Sequence, residues 1–253
     1  MNFTRKRLLA GLLAFAACTA AHAADSTVQG SRLAGHYRLA KPDGRGPFPA
    51  VLLVAGCSGF EAGFSKPHYD GVQARLVALG FLTVRVDTLA ARAVPSCAMV
   101  SAESAADDIA WTAEQLKTDP LVKAGAINVL GWSWGGAGAL LALRRHGTRP
   151  AARVDAVVVY YPACRYVQPW EADVSVLVLH GAIDNVATLK ECTALFARLP
   201  SSKRPKLVVL ELAHHGFDIA QLPKETRYGF GTLGSNPRAA ALAWDELTAF
   251  LRR

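Results

Sequence analysis

The stretch Ile127-Asn128-Val129-Leu130-Gly131-Trp132-Ser133-Trp134-Gly135-Gly136 decides how this chain reads. Its apolar first half predicts a buried strand over residues 127–131, and a helical run follows over 136–146. Between them Gly131, Ser133 and Gly135 fit the pattern Gly-x-Ser-x-Gly. A serine in such a strand-to-helix turn takes a strained backbone conformation, and glycines two residues away on either side let strand and helix approach without side-chain clash. The Ser133 hydroxyl is thereby presented at the edge of a sheet. The N–H groups and positive dipole end of the following helix face the place where an oxyanion would develop.

Outward from that turn, short apolar runs alternate with helical patterns, the signature of a parallel sheet. Further strands are expected over residues 50–55, 81–86, 156–161, 174–180 and 206–212, with an antiparallel edge strand over 36–40. Helical faces recur at Val72, Leu76 and Leu79, at Ala105, Ile109, Ala113 and Leu116, and at Ala240, Ala243, Leu247 and Leu251. No repeat or Pro/Ser-rich linker divides the chain, and residues 222–237 read as a structureless loop before the last helix. The expected architecture is a single α/β domain over 24–253, a mostly parallel central sheet with helices on both faces.

A composition of 51% hydrophobic and 19% charged residues excludes disorder. The net charge of +8 raises nucleic acid or an anionic surface as a partner. Part of that charge is Arg5, Lys6 and Arg7, which precede an apolar run over 8–17 and the small-residue site Ala21-His22-Ala23. Residues 1–23 therefore read as a secretory signal cleaved after Ala23. The run is too short to span a membrane; a lipoprotein anchored through Cys18 is the lesser alternative, since Phe15 stands where a Leu-like residue is usual. Losing those three cations from the 28 basic residues leaves 25 against 20 acidic, without any block of like charge. The expectation is a periplasmic or secreted protein with no nucleic-acid partner and no stable membrane insertion. Four cysteines then remain, Cys57, Cys97, Cys164 and Cys192, in an oxidising compartment where disulfides form. Their three possible pairings stay open at this point, and no zinc spacing is present, so no metal site is expected.

A serine hydroxyl is a poor nucleophile at neutral pH and needs a base oriented by a carboxylate, in the chain order Ser, Asp, His. Asp184 follows the strand over 174–180 at its carboxyl end, whereas Asp173 lies at the other. His214 and His215 follow the strand over 206–212, and one of them is the candidate base. The N–H of Trp134 is the first candidate oxyanion donor, and that of Cys57, in Ala55-Gly56-Cys57-Ser58-Gly59, the second. A Cys57 nucleophile is the minor reading. Trp132 and Trp134 either wall an apolar acyl pocket or pack between sheet and helix. Arg85, Arg92 and Arg165 lie near predicted carboxyl edges, where they could bind a substrate carboxylate, and Arg92 with Trp132 is a candidate pocket residue. Structural roles are expected for His180, for Asp107 and Asp108 at the start of a helix, and a solvated one for Glu61.

Taken together, Gly131-Trp132-Ser133-Trp134-Gly135-Gly136, the Asp184 loop and His215-Gly216-Phe217 resemble the dienelactone hydrolase family of α/β-hydrolases over roughly residues 49–250. The resemblance implies the α/β-hydrolase fold, His215 rather than His214 as base, Cys57 as an oxyanion donor, and pairing of Cys57 with Cys97 and Cys164 with Cys192. Ser133 stands where the family's namesake has cysteine, and Ala55 replaces a histidine common before that glycine. Those departures turn the expectation from the dienelactone reaction to general esterase chemistry. The expected function is that of a secreted serine hydrolase cleaving a small-molecule carboxylic ester or lactone through an acyl-enzyme, without cofactor. A peptidase resembling the prolyl oligopeptidase group, a thioesterase, and a catalytically silent hydrolase-like binding protein are the alternatives.

Overall fold

Runs of β-branched and apolar residues with both faces covered become the strands of this protein, whose computed structural model describes residues 38–144 and 151–252. The expected leader over 1–23, Cys18 with it, lies outside the described residues, as do the first two residues of the expected edge strand. In chain order the elements are β1 (Arg38–Ala40), β2 (Phe48–Val54), α1 (Lys66–Ala78), β3 (Leu82–Arg85), α2 (Ala102–Leu116) and β4 (Val122–Trp132). There follow α3 (Ser133–Leu141), β5 (Ala156–Tyr160), β6 (Ser175–Gly181), α4 (Leu189–Ala197), β7 (Lys206–Leu210), β8 (Thr226–Tyr228), β9 (Gly231–Leu233) and α5 (Pro237–Leu251).

Seven strands form one sheet in the order β1-β3-β2-β4-β5-β6-β7. All neighbours run parallel except β1, which pairs antiparallel with β3. The expected edge strand and parallel sheet are thus present. Alternation along each strand divides the interior in two, because successive side chains point to opposite faces. Ala50, Leu52 and Val54 of β2 and Val157 and Val159 of β5 join a core covered by α2, α3 and α4. Val51 and Leu53, with Val158 and Tyr160, join the other, covered by α1 and α5. The residues spaced for a buried helical face, Ala105, Ile109, Ala113 and Leu116, are all buried on α2.

Three local readings are corrected. α2 begins at Ala102, so Asp107 and Asp108 sit within it rather than at its start; Asp108 is fully buried and takes both guanidinium nitrogens of Arg92, at 2.6 and 2.9 Å. α4 was not expected, although Thr188 and Glu191 cap its start reciprocally, each side chain accepting the other's backbone N–H. The segment read as a structureless loop over 222–237 contains the antiparallel hairpin β8–β9. Strands of three residues carry too little pattern to be found by alternation. This hairpin is held by partners outside it: Leu233 bridges to His215, the Gly234 N–H donates to the His215 carbonyl at 3.1 Å, and the Thr232 N–H to Asn185 Oδ1 at 2.8 Å.

Candidate active site

Ser133 is the first residue of α3 and has φ 51°, in the left-handed region that a non-glycine residue occupies only at a cost. Close approach explains the flanking glycines. A Cβ on Gly135 would lie 2.3 Å from the Ala55 carbonyl oxygen and 2.5 Å from that of Val54, and one on Gly131 would lie 2.7 Å from the Gly135 oxygen. Strand, turn and helix therefore interlock at backbone distance. The Ser133 carbonyl accepts the Ala163 N–H at 3.1 Å, which ties the turn to the segment after β5.

From the loops after β6 and β7, neighbouring parallel strands, the carboxylate and the base reach the serine. His215 Nε2 lies 2.8 Å from Ser133 Oγ, and His215 Nδ1 lies 2.8 Å from Asp184 Oδ2. The other Asp184 oxygen accepts the N–H groups of Val186 and Ala187 at 2.8 and 3.0 Å, so the fully buried carboxylate keeps its lone pairs engaged. The structure thus brings Ser133, His215 and Asp184 together and leaves His214 outside, its nearest acid Glu225 at 3.9 Å.

Beside the serine, the loop after β2 makes equally close contact. A Cβ on Gly56 would be 3.6 Å from Ser133 Cβ, and the Gly56 N–H donates to Tyr69 Oη at 2.9 Å. Cys57 follows, its carbonyl accepting the Cys97 N–H at 3.0 Å and its sulfur bonded to that of Cys97. The second bridge joins Cys164 to Cys192. Disulfide bonding takes the Cys57 thiol out of nucleophilic chemistry, and Cys57 lines the same cavity as Ser133. Trp134 is the second residue of α3, where backbone N–H groups have no partner within the helix.

A cavity of about 880 Å³ opens over Ser133 and His215. Trp134 and Trp132 touch it, yet both are buried: Trp132 packs against Tyr69, His68 and Tyr160 and mainly fills the core. Arg92 does not line the cavity. Its guanidinium is committed to Asp108 because a fully buried carboxylate requires a counter-charge. Arg85 is also buried and paired with Asp70, whose carboxyl is held below the usual range by the ammonium of Lys66 and then by Arg85. Arg165 alone of the three lines the cavity.

Sequence reasoning missed a polar cluster beneath the imidazole. Asp218 accepts the Tyr161 phenol at 2.5 Å and Trp132 Nε1 at 2.8 Å, and its Oδ2 lies 3.3 Å from His68 Nε2. Tyr161 has φ 37° and its ring packs against that of His215 with centroids 4.5 Å apart. Burial, reinforced by the Asp218 charge, pushes the Tyr161 phenol well above its ordinary pKa, so it stays a donor. Asp218 directly follows His215-Gly216-Phe217, and that adjacency was the one available signal. His180 is fully buried, and desolvation holds its imidazole below the usual value, in keeping with a structural residue.

A family model described as the dienelactone hydrolase family matches residues 36–253. Among solved structures, a candidate dienelactone hydrolase from Klebsiella pneumoniae is similar with TM-score 0.63 and 17% identity, over 86% of this chain and 92% of that one. A thermophilic esterase from the Planctomycetes species Thermogutta terrifontis, solved with propionate, has TM-score 0.60 and 15% identity over 85% of this chain and 88% of that one. The same esterase phosphorylated by paraoxon has TM-score 0.58 and 14% identity over 85% of this chain and 87% of that one. No curated protein matches. At such identities the solved structures establish the shared fold.

Proposed function

We propose, from the premise that this chain belongs to the dienelactone hydrolase family and is an ester hydrolase, that it cleaves a small-molecule carboxylic ester or lactone through an acyl-enzyme on Ser133. The observation that carries this reading is the unbroken line Asp184 Oδ2, His215, Ser133 Oγ, with both links at 2.8 Å. His215 Nε2 takes the hydroxyl proton as Oγ attacks the carbonyl carbon, while Asp184 fixes the tautomer and stabilises the imidazolium. The N–H groups of Trp134 and Cys57 donate to the oxyanion; losing one such donor typically costs about 10² to 10³ in kcat. The imidazolium then protonates the leaving alkoxide. Water, deprotonated by the same imidazole, hydrolyses the acyl-enzyme and returns Ser133 to its starting state. None of these steps calls for a cofactor.

The esterase of Thermogutta terrifontis is phosphorylated by paraoxon, and Ser133 is proposed to react with organophosphorus reagents in the same manner. A fluorophosphonate probe tests the assignment: mass spectrometry should place the label on Ser133, and His215→Ala should eliminate it. Folded wild-type protein that takes up no label would overturn the reading. The proposal includes export: a leader over 1–23 and two disulfides suit a periplasmic or secreted single-domain enzyme. The described helices include none long and apolar enough to cross a membrane.

A further inference from the structure

Among the described residues, the exposed phenylalanines, tyrosines and tryptophans number four, Phe64, Tyr166, Tyr228 and Phe230, and all four line the cavity that contains Ser133. Exposed apolar side chains scattered singly need no explanation, but their collection around one concave site marks a ligand surface. Tyr228 and Phe230 stand at the tip of the β8–β9 hairpin, stacked on each other with centroids 5.3 Å apart and ring planes 11° from parallel. Leaving Phe230 63% exposed there is of no use to the core.

The tip is carried on a frame built into the catalytic loops. Thr232 and Gly234 bond the Asn185 side chain and the His215 carbonyl. Gly231 sits so tightly on the segment after Asp184 that a Cβ there would lie 2.6 Å from Val186 Cγ2. The rings are therefore held at a set place relative to the nucleophile. The arginine lining the cavity is already committed: Arg165 donates to the Val186 carbonyl at 2.8 Å, lies 3.6 Å from Glu191, and stacks on the Tyr166 ring at 4.8 Å. The other charged side chain on the lining besides the imidazole is the carboxylate Glu103, so among the described residues the mouth offers an anionic substrate no uncommitted arginine or lysine, and its rings offer flat faces to a neutral one.

We propose that Tyr228 and Phe230, with Tyr166 and Phe64, form an aryl subsite, so that the preferred substrate is a neutral ester bearing a flat aromatic ring. This rests on the hydrolase reading above and names its substrate class. The test compares matched pairs of equal leaving-group chemistry: naphthylethyl acetate with hexyl acetate for a ring on the alcohol side, and methyl naphthylpropanoate with methyl nonanoate for a ring on the acyl side. In the double variant Tyr228→Ala, Phe230→Ala the aryl-to-alkyl ratio of kcat/KM should fall about tenfold for one pair, mainly through KM. Tyr228→Phe, which keeps the ring, should retain the ratio. The pair affected tells which side of the ester the subsite holds.

The same ratio is read as Kd by calorimetry in Ser133→Ala protein, where no turnover is needed. If wild type hydrolyses none of the esters, the hydrolase reading fails, and the Kd ratio still decides the subsite. Ratios that stay within about twofold for both pairs, or aryl and alkyl members that weaken together, would overturn the proposal. So would a dimer in sedimentation that the double variant dissociates, since the rings would then serve a second copy of the chain.

Discussion

The serine turn and the β8–β9 hairpin meet at the same cavity, yet they are built on opposite terms. Around Ser133 backbone meets backbone: Gly131 and Gly135 leave no room for a Cβ, and Trp132 and Trp134 on either side are buried. At the hairpin tip nothing lies within 4 Å of a Cβ added to Gly229, and Tyr228 and Phe230 face solvent. The first region fixes where an oxygen can attack. The second adds surface at the mouth, where the chain has freedom to differ. Precision in this site is a property of contact density, and selectivity is left to the part that has little of it.

The largest expected effect falls on the dense side. Ser133→Ala should lower kcat for an activated ester by about 10⁴ or more while far-UV circular dichroism and Tm stay unchanged. Next comes the clamp that holds the loop carrying Cys97 onto α2: Arg92→Ala leaves Asp108 buried without its partner and should cost about 3–5 kcal/mol in urea unfolding. Gly135→Ala should cost about 3 kcal/mol, at the upper end of overpacking, because the obstructing atoms are carbonyl oxygens that cannot rotate away.

Buried structure also carries a pH dependence. Burial holds His180 below the usual imidazole value in the folded protein, so the unfolded chain gains a proton first as pH falls. The stability that neutral His180 contributes is complete above the ordinary imidazole pKa of about 6.5 and is lost as pH drops towards the folded-state value. Tm measured down that window should fall more steeply in wild type than in His180→Asn. The smallest effect belongs to the hairpin: Gly229→Ala should change stability by less than about 0.5 kcal/mol. An equal cost at Gly135 and Gly229 would erase the contrast between the two regions.

The same contrast explains what the amino-acid sequence discloses. Ser133 is legible because its flanking glycines, strand and helix are consecutive, and Asp184 because it follows the carboxyl end of an apolar strand; position narrows the base to His214 or His215, and the family resemblance chooses His215. Position near a strand end points Arg92 at the pocket, whereas its partner, Asp108, lies within α2, which begins at Ala102 and not at the Asp107-Asp108 pair. The hairpin was invisible for a different reason. Its three-residue strands have no periodicity of their own, and the bonds that order them come from Asn185 and from the His215 loop. Tyr161 and Asp218 were missed likewise, since a buried polar cluster is a product of packing and leaves no spacing to read.

Zero clearance at Gly135 has a further consequence for how this molecule can diversify. Any change of the Gly135 codon that replaces the amino acid introduces a β-carbon, and here that carbon would collide with the Val54 and Ala55 carbonyl oxygens. Drift is barred at the frame while the attacking atom itself can be exchanged in place. Descendants of this gene that acquire new specificities should therefore carry their substitutions in the segment from Tyr228 to Phe230 and leave Gly131 and Gly135 untouched.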